Sequence, residues 1–186
     1  MSERIYDASI PPGKPYPGCS GVAGYLGGNT PHVWTAAEWN AASNNGRLPM
    51  LPIWVGFGEA DPAEHAEQAA TAARALGWAP HHTPWWRAIV ADVEAVSERA
   101  WLEAFGHQLQ HEGFLCWPYM SATALPSDPP TYSVWLARWD GQDIVPPIHD
   151  VIGHQYAHDL PWDGTSVDLS AFDSSALASF GRGPRR

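Results

Sequence analysis

Leu48 to Val55 is an almost unbroken apolar run, closed by Gly56 to Gly58 and followed at once by a capped helix pattern. A segment apolar at every position suits a strand covered on both faces, which is the habit of parallel sheets. The helix signal behind it is complete. Asp61 is the N-cap, Pro62 takes the first helical position, Glu64 closes the box and Gly77 marks the stop. The same pairing recurs on either side. Val22 to Leu26 ends at Gly27-Gly28-Asn29, and a Thr35/Glu38 capping box then opens a helix that Asn44-Asn45-Gly46 stops. Arg87 to Glu94 is apolar until its acids, and Ser97 caps a helix running to about Glu112, closed by Gly113. Strand and helix in alternation imply a parallel sheet.

Five more strand candidates complete the chain: Ile5 to Ser9, Phe114 to Met120, Ser133 to Trp139, Val151 to Tyr156 and Ser166 to Leu169. The late connections carry Pro, Gly and Asp but little helical pattern. Eight strands suggest a closed barrel. A full barrel of eight strands and eight helices takes about 250 residues, and this chain has 186. The expectation is therefore an α/β fold, a shortened TIM-like (β/α) barrel with reduced helices after the last three strands. Residues 1–180 would form one domain, with 181–186 a loose basic tail. Gly24 to Gly28 reads as a strand end and turn.

Acids outnumber bases 20 to 10, a net charge of -10. That argues against nucleic acid, which needs a basic footprint, and against an anionic membrane surface. No apolar run reaches the roughly 18 residues that span a bilayer. The N-terminus enters a strand with no signal-peptide pattern. The expected location is cytoplasmic synthesis, followed by virion association or release to the cell envelope. Two cysteines are too few for a disulfide framework, and Cys116 reads as a buried, inert thiol. His107 and His111 are four apart on one helix, a zinc-capable spacing. They lack a glutamate next to the first histidine and read as surface residues, so neither a metal nor another cofactor is expected.

In barrels of this kind the chemistry sits at the carboxyl ends of the strands. Asp7, Asp92, Glu94 and Asp168 fall at or near such ends. Asp92 and Glu94 are two apart on one strand, so both point to one face with α-carbons about 6.5–7 Å apart. Two carboxyls aimed into an apolar barrel repel each other and are poorly solvated, which raises one pKa and sets an acid beside a carboxylate. Glycoside hydrolysis needs such a pair. Asp-Val-Glu alone is equally well a strand end entering a loop. Asp7 and Asp168 favour the site, because isolated buried acids are expensive. Tyr25, Trp54, Trp117 and Trp139 lie near strand ends and are candidates to stack on sugar rings. For the three Trp residues, packing in the core is an equal alternative. Trp85, Trp86 and Trp101 read as packing residues. His154, at a strand end before Gln155, could line the site.

The ordered set Tyr6-Asp7-Ala8-Ser9, Asp92-Val93-Glu94, Trp117-Pro118-Tyr119, Trp135-Leu136-Ala137-Arg138-Trp139, Gln155-Tyr156 and Val167-Asp168-Leu169 resembles glycoside hydrolase family 25, the Chalaropsis-type lysozymes, and related domains of actinobacteria and their phages. The resemblance spans about residues 5 to 173. It implies a short barrel with three bare late strands. It also implies that Glu94 protonates the glycosidic oxygen and that Asp92 orients or stabilises a substrate-assisted intermediate. Asp7 and Asp168 would support it, Tyr119 would lie beside the reacting sugar, and Gln155 and Tyr156 would belong to the substrate site. The pattern departs from the family at His154, where the family has Trp, at Ser170, where it has Asn, and at Ala157, where Ser is common. The function so implied is cleavage of peptidoglycan or a related cell-envelope glycan. The alternative is a non-catalytic glycan-binding or structural module, partnered by other proteins of a phage virion or surface assembly.

Overall fold

The computed structural model describes residues 2–56, 60–78, 87–93, 99–122, 133–146 and 150–181. Eight strands close a barrel in chain order: β1 (Ser2–Asp7), β2 (Gly21–Gly28), β3 (Met50–Val55), β4 (Arg87–Asp92), β5 (Phe114–Ser121), β6 (Val134–Ala137), β7 (Val151–Trp162) and β8 (Thr165–Asp173). Helices α1 (Ala36–Ala42), α2 (Pro62–Ala75) and α3 (Arg99–His111) follow β2, β3 and β4. Among the described residues no α-helix follows β6, β7 or β8, and a short 3-10 helix, Ala176–Ser179, comes after β8. This is the shortened barrel that the strand count suggests.

One strand departs from a fully parallel sheet. The neighbours from β1 to β7 pair in parallel, whereas β8 is antiparallel to both β7 and β1. The cause is local. Trp162 pairs with Thr165, leaving Asp163 and Gly164 as a two-residue turn, both at positive φ (49° and 81°). Asp-Gly in that conformation is a favoured hairpin turn. A parallel return would need a crossover of a dozen or more residues.

The helices form where their caps dictate. The Thr35 side chain and the Glu38 carboxylate complete the box at α1, and Asp61 accepts from the Ala63 amide with Pro62 at the start of α2. Ser97, the expected cap of α3, lies outside the described residues. α2 turns Ala66, Ala69, Ala70 and Ala73 inward, while α3 buries Trp101, Leu102, Phe105 and Leu109. His107 and His111 are exposed on α3, and Trp101 stacks on Phe105 at 5.0 Å. Cys116 is buried and faces the layer between barrel and helices.

Inside the barrel, Ile5, Ala23, Leu51, Ile53, Ala88, Val90, Trp117, Trp135 and Phe172 form a separate core. Phe180, beyond the 3-10 helix, packs on Trp117 and Phe172 at 6.1 and 5.6 Å and closes the amino end. Gly24 and Gly27 lie within β2 rather than in a turn, and indoles occupy their side-chain space. A Cβ on Gly24 would fall 2.6 Å from the Trp34 ring, and one on Gly27 would fall 2.4 Å from Trp54.

Candidate active site

Strand alternation decides what enters the barrel. The inward series are Ile5 and Asp7 on β1, Ala23 and Tyr25 on β2, Val90 and Asp92 on β4, and Trp117 and Tyr119 on β5. Each begins apolar in the middle of the barrel and ends polar at its carboxyl rim. β8 runs the other way, so Asp168 lies near its start and still arrives at the same rim, directly opposite Asp7. Asp7, Tyr25, Ile53, Asp92, Tyr119, Trp135, Trp139, Gln155 and Asp168 line one cavity there.

Gln155 organises this cavity. Its Nε2 donates to Asp7 Oδ2 at 3.4 Å and to Asp168 Oδ2 at 3.2 Å. Its Oε1 accepts from Tyr119 Oη at 2.7 Å and from Trp139 Nε1 at 2.8 Å. One amide therefore uses all four of its hydrogen-bonding positions, and it fixes two carboxyls and two aromatic rings. A bulge in β7 after Gln155 shifts the register against β8. The Asp159 amide then donates to Asp168 Oδ1 at 2.8 Å, and the His158 ring lies 4.4 Å from that of Trp139. Bulges often re-aim side chains beside active sites in this way. Below them Trp135 donates to Ser170 Oγ at 3.1 Å and meets Tyr119 edge-on.

The electrostatics follow from this placement. Burial raises the Asp7 carboxyl well above its ordinary range, the charge of Asp168 adds to the rise, Gln155 opposes it and Asp92 contributes further. Burial also raises Asp168, with the Asp159 charge adding and the Asp159 amide and His158 opposing. Tyr25 is raised by burial and then by the surrounding carboxylates, so it stays a neutral phenol. Among the described residues no Lys or Arg lines the cavity. The described lining is acidic. It can hold a proton on a carboxyl or stabilise a developing positive charge, and it is ill suited to an anion.

Of the residues singled out from sequence, Asp7, Asp92, Asp168, Tyr25, Tyr119, Trp139 and Gln155 meet here. Glu94 lies outside the described residues, as do Trp85 and Trp86. Four expected lining residues are elsewhere. Trp54 points out of the barrel, and its Nε1 donates to His65 Nδ1 at 3.2 Å. Trp117 points inward but sits below Tyr119 in the buried core. His154 and Tyr156 flank Gln155 in sequence, so alternation turns both to the outside of the wall, where they are buried. Ile53 and Trp135 line the cavity without having been singled out. Their inward parity, shared with Leu51 and with the paired Tyr119, was the available signal.

No protein-family model matches this chain, and no curated protein sequence matches it. Solved structures do. The crystal structure of an uncharacterized B. stearothermophilus protein aligns with a TM-score of 0.69 at 19% identity, over 96% of this chain and 100% of that chain. The modular autolysin LytC of Streptococcus pneumoniae, solved with a synthetic peptidoglycan ligand, aligns with a TM-score of 0.65 at 15% identity, over 93% of this chain and 47% of that chain. This chain thus spans about half the autolysin's length. GHIP, a glycosyl hydrolase 25 of the same organism participating in host cell invasion, gives 0.64 at 15% identity, over 93% of this chain and 88% of that chain. At these identities the likeness is one of fold, the shortened eight-stranded barrel.

Proposed function

We propose that the chain is a retaining glycoside hydrolase acting on peptidoglycan or a related cell-envelope glycan. The observation that carries this reading is the meeting of Asp7, Asp92 and Asp168 in one cavity with no basic residue in its described lining. Such a cavity favours a reaction that builds positive charge, as glycosidic cleavage does through its oxocarbenium-like transition state. Trp139 adds a stacking surface. It is 58% exposed although Gln155 and His158 hold its indole. All the described large apolar side chains that are well exposed lie on loops after barrel strands: Ile10 after β1, Val33 after β2, and Trp139 and Ile144 after β6. The cavity itself is about 150 Å³, smaller than the roughly 300–1,000 Å³ of pockets that engulf a ligand. It suits one ring of a longer chain whose neighbours lie along the rim.

In the proposed reaction a carboxylic acid gives its proton to the glycosidic oxygen as the C1–O bond breaks. The acetamido oxygen of the same sugar closes onto C1, and water then opens the ring intermediate. Glu94 is the proposed acid, from its place two residues beyond Asp92. Asp92 orients the acetamido N–H and stabilises the cation, while Asp7, Asp168 and Gln155 hold the sugar-facing surface in register. The test is digestion of purified cell walls, with new reducing ends read by mass spectrometry. Wild type should release fragments, and Glu94→Gln and Asp92→Asn should lose about 10²–10⁴-fold in rate without losing the fold. Lysis that survives Glu94→Gln removes Glu94 from the role of acid. A folded wild type that binds walls and releases nothing is a glycan-binding module instead.

A further inference from the structure

We propose that Tyr25, Ile53 and Asp92 form a recognition site for an acetamido group, and that Tyr25 and Ile53 make the cavity specific for an N-acetylated sugar. The three side chains stand on consecutive strands, β2, β3 and β4, and line the same cavity. Tyr25 pairs in register with Ile53, and Ile53 pairs with Val90, one inward step below Asp92. This specificity rests on the glycan reading and names the substituent that the cavity selects.

The hydrogens of the described lining are almost all spent within the protein. Tyr119 Oη and Trp139 Nε1 both donate to Gln155 Oε1, and Gln155 Nε2 gives its two hydrogens to Asp7 and Asp168. Trp135 Nε1 donates to Ser170 Oγ. A proton kept on Asp7 faces the Asp168 carboxylate across the β1–β8 pair, a stronger acceptor than a neutral oxygen. Tyr25 differs from all of these. Its oxygen is hydrogen-bonded to the Ser9 side chain in the sense that favours phenoxide, so Ser9 donates and the phenol keeps its own O–H. Burial and the charges of Asp7, Asp92 and Asp168 hold that hydrogen in place. Among the described lining residues, Tyr25 is thus the neutral side chain with a hydrogen still to give, and Ile53 is the one aliphatic group.

A sugar hydroxyl both donates and accepts, so an acidic wall can satisfy it. An acetamido group makes three separate demands. Its N–H needs an acceptor, and Asp92 is a carboxylate. Its carbonyl oxygen can only accept, and the phenol of Tyr25 donates. Its methyl group needs an apolar wall, and Ile53 provides one. A carbonyl oxygen has two lone pairs, so it accepts from Tyr25 on one and turns the other to C1. A sugar with a hydroxyl in that place leaves Ile53 against a polar group and gives up the bond to Tyr25. Sites built around a hydrogen bond reject analogues that cannot make it.

The experiment titrates the whole chain calorimetrically with penta-N-acetylchitopentaose and with cellopentaose, a neutral chain of equal length with a hydroxyl in place of each acetamido group. Wild type should favour the acetylated sugar by at least about 10-fold. Tyr25→Phe removes one oxygen and should lower that ratio about 3–10-fold, the range of one lost hydrogen bond, by weakening the acetylated sugar and not cellopentaose. In wild type carrying ¹³C-methyl isoleucine, with Ile53 assigned through Ile53→Val, the acetyl methyl should show a nuclear Overhauser contact to Ile53. That contact is read on wild type and decides even where Tyr25→Phe does not fold. A ratio unmoved by Tyr25→Phe, or an acetyl methyl with no contact to Ile53, overturns the proposal. So does a wild type that binds both sugars equally, and the glycan reading then stands. A wild type that binds neither sugar also overturns it, and release of fragments from cell walls then tells whether the glycan reading falls as well.

Discussion

Asp7 stands directly opposite Asp168 across the seam where the antiparallel β8 meets β1. Like charges in that position are destabilising, and burial makes them more so. The Asp7 carboxyl therefore keeps its proton more tightly in the folded chain than in the unfolded one. Stability from this group is intact below the ordinary carboxylate range and is lost as pH rises from about 4 through the folded pKa. Asp7→Asn removes that loss. The variant should therefore melt higher than wild type near neutral pH and no higher in acid, while losing wall digestion. Thermal melts between acid and neutral pH check this, and equal slopes for the two proteins would refute it. Asp7, Asp92 and Asp168 were legible from sequence because strand ends and apolar strands announce them. Their neighbours were less so. The run from His154 to Tyr156 reads as one motif, yet only Gln155 enters the cavity, because the backbone alternates. For Trp117 and Trp54 the packing alternative holds, one being two residues deeper than Tyr119 on an inward strand and the other facing outward.

At the scale of elements, caps and stops made α1 and α2 readable, since Thr35, Glu38, Asp61 and Gly77 act within one turn of their own position. The direction of β8 was not readable in that way. It depends on Asp163-Gly164, a two-residue hairpin signal beside a stronger parallel pattern upstream. The hairpin offers a test in which two glycines fail for different reasons. A Cβ on Gly164 meets nothing within 4 Å, but φ is +81°. Gly164→Ala should cost about 1 kcal/mol through backbone strain alone, and Gly164→Asn should cost less because Asn tolerates that conformation. A Cβ on Gly153 would lie 2.5 Å from the Phe172 ring, inside the barrel. Gly153→Ala should cost about 1–3 kcal/mol by overpacking, and Phe172→Leu in the same chain should recover part of it. Denaturant melts of the single and double variants measure both effects. Additive losses at Gly153 and Phe172 would mean that the ring is not what the glycine accommodates.

For the molecule as a whole, the net charge of -10 bears on how the proposed enzyme meets its substrate. Walls that carry anionic polymers repel an acidic protein. The attraction must come from short-range contacts at the rim, from Trp139 and the cavity, and these are little affected by salt. Repulsion between exposed charges is screened over the Debye length, which falls from about 30 Å at 0.01 M to about 8 Å at 0.15 M salt. Association with anionic walls should therefore strengthen as salt rises across that range, the reverse of a basic wall-binding domain. Binding to an uncharged chitooligosaccharide should hardly change. Co-sedimentation with walls and fluorescence titration with the oligosaccharide, each at several salt concentrations, separate the two contributions. Wall binding that weakens with salt would mean that a local cationic surface, and not the aromatic rim, makes the contact. The acidic charge would then say nothing about how the chain reaches a glycan.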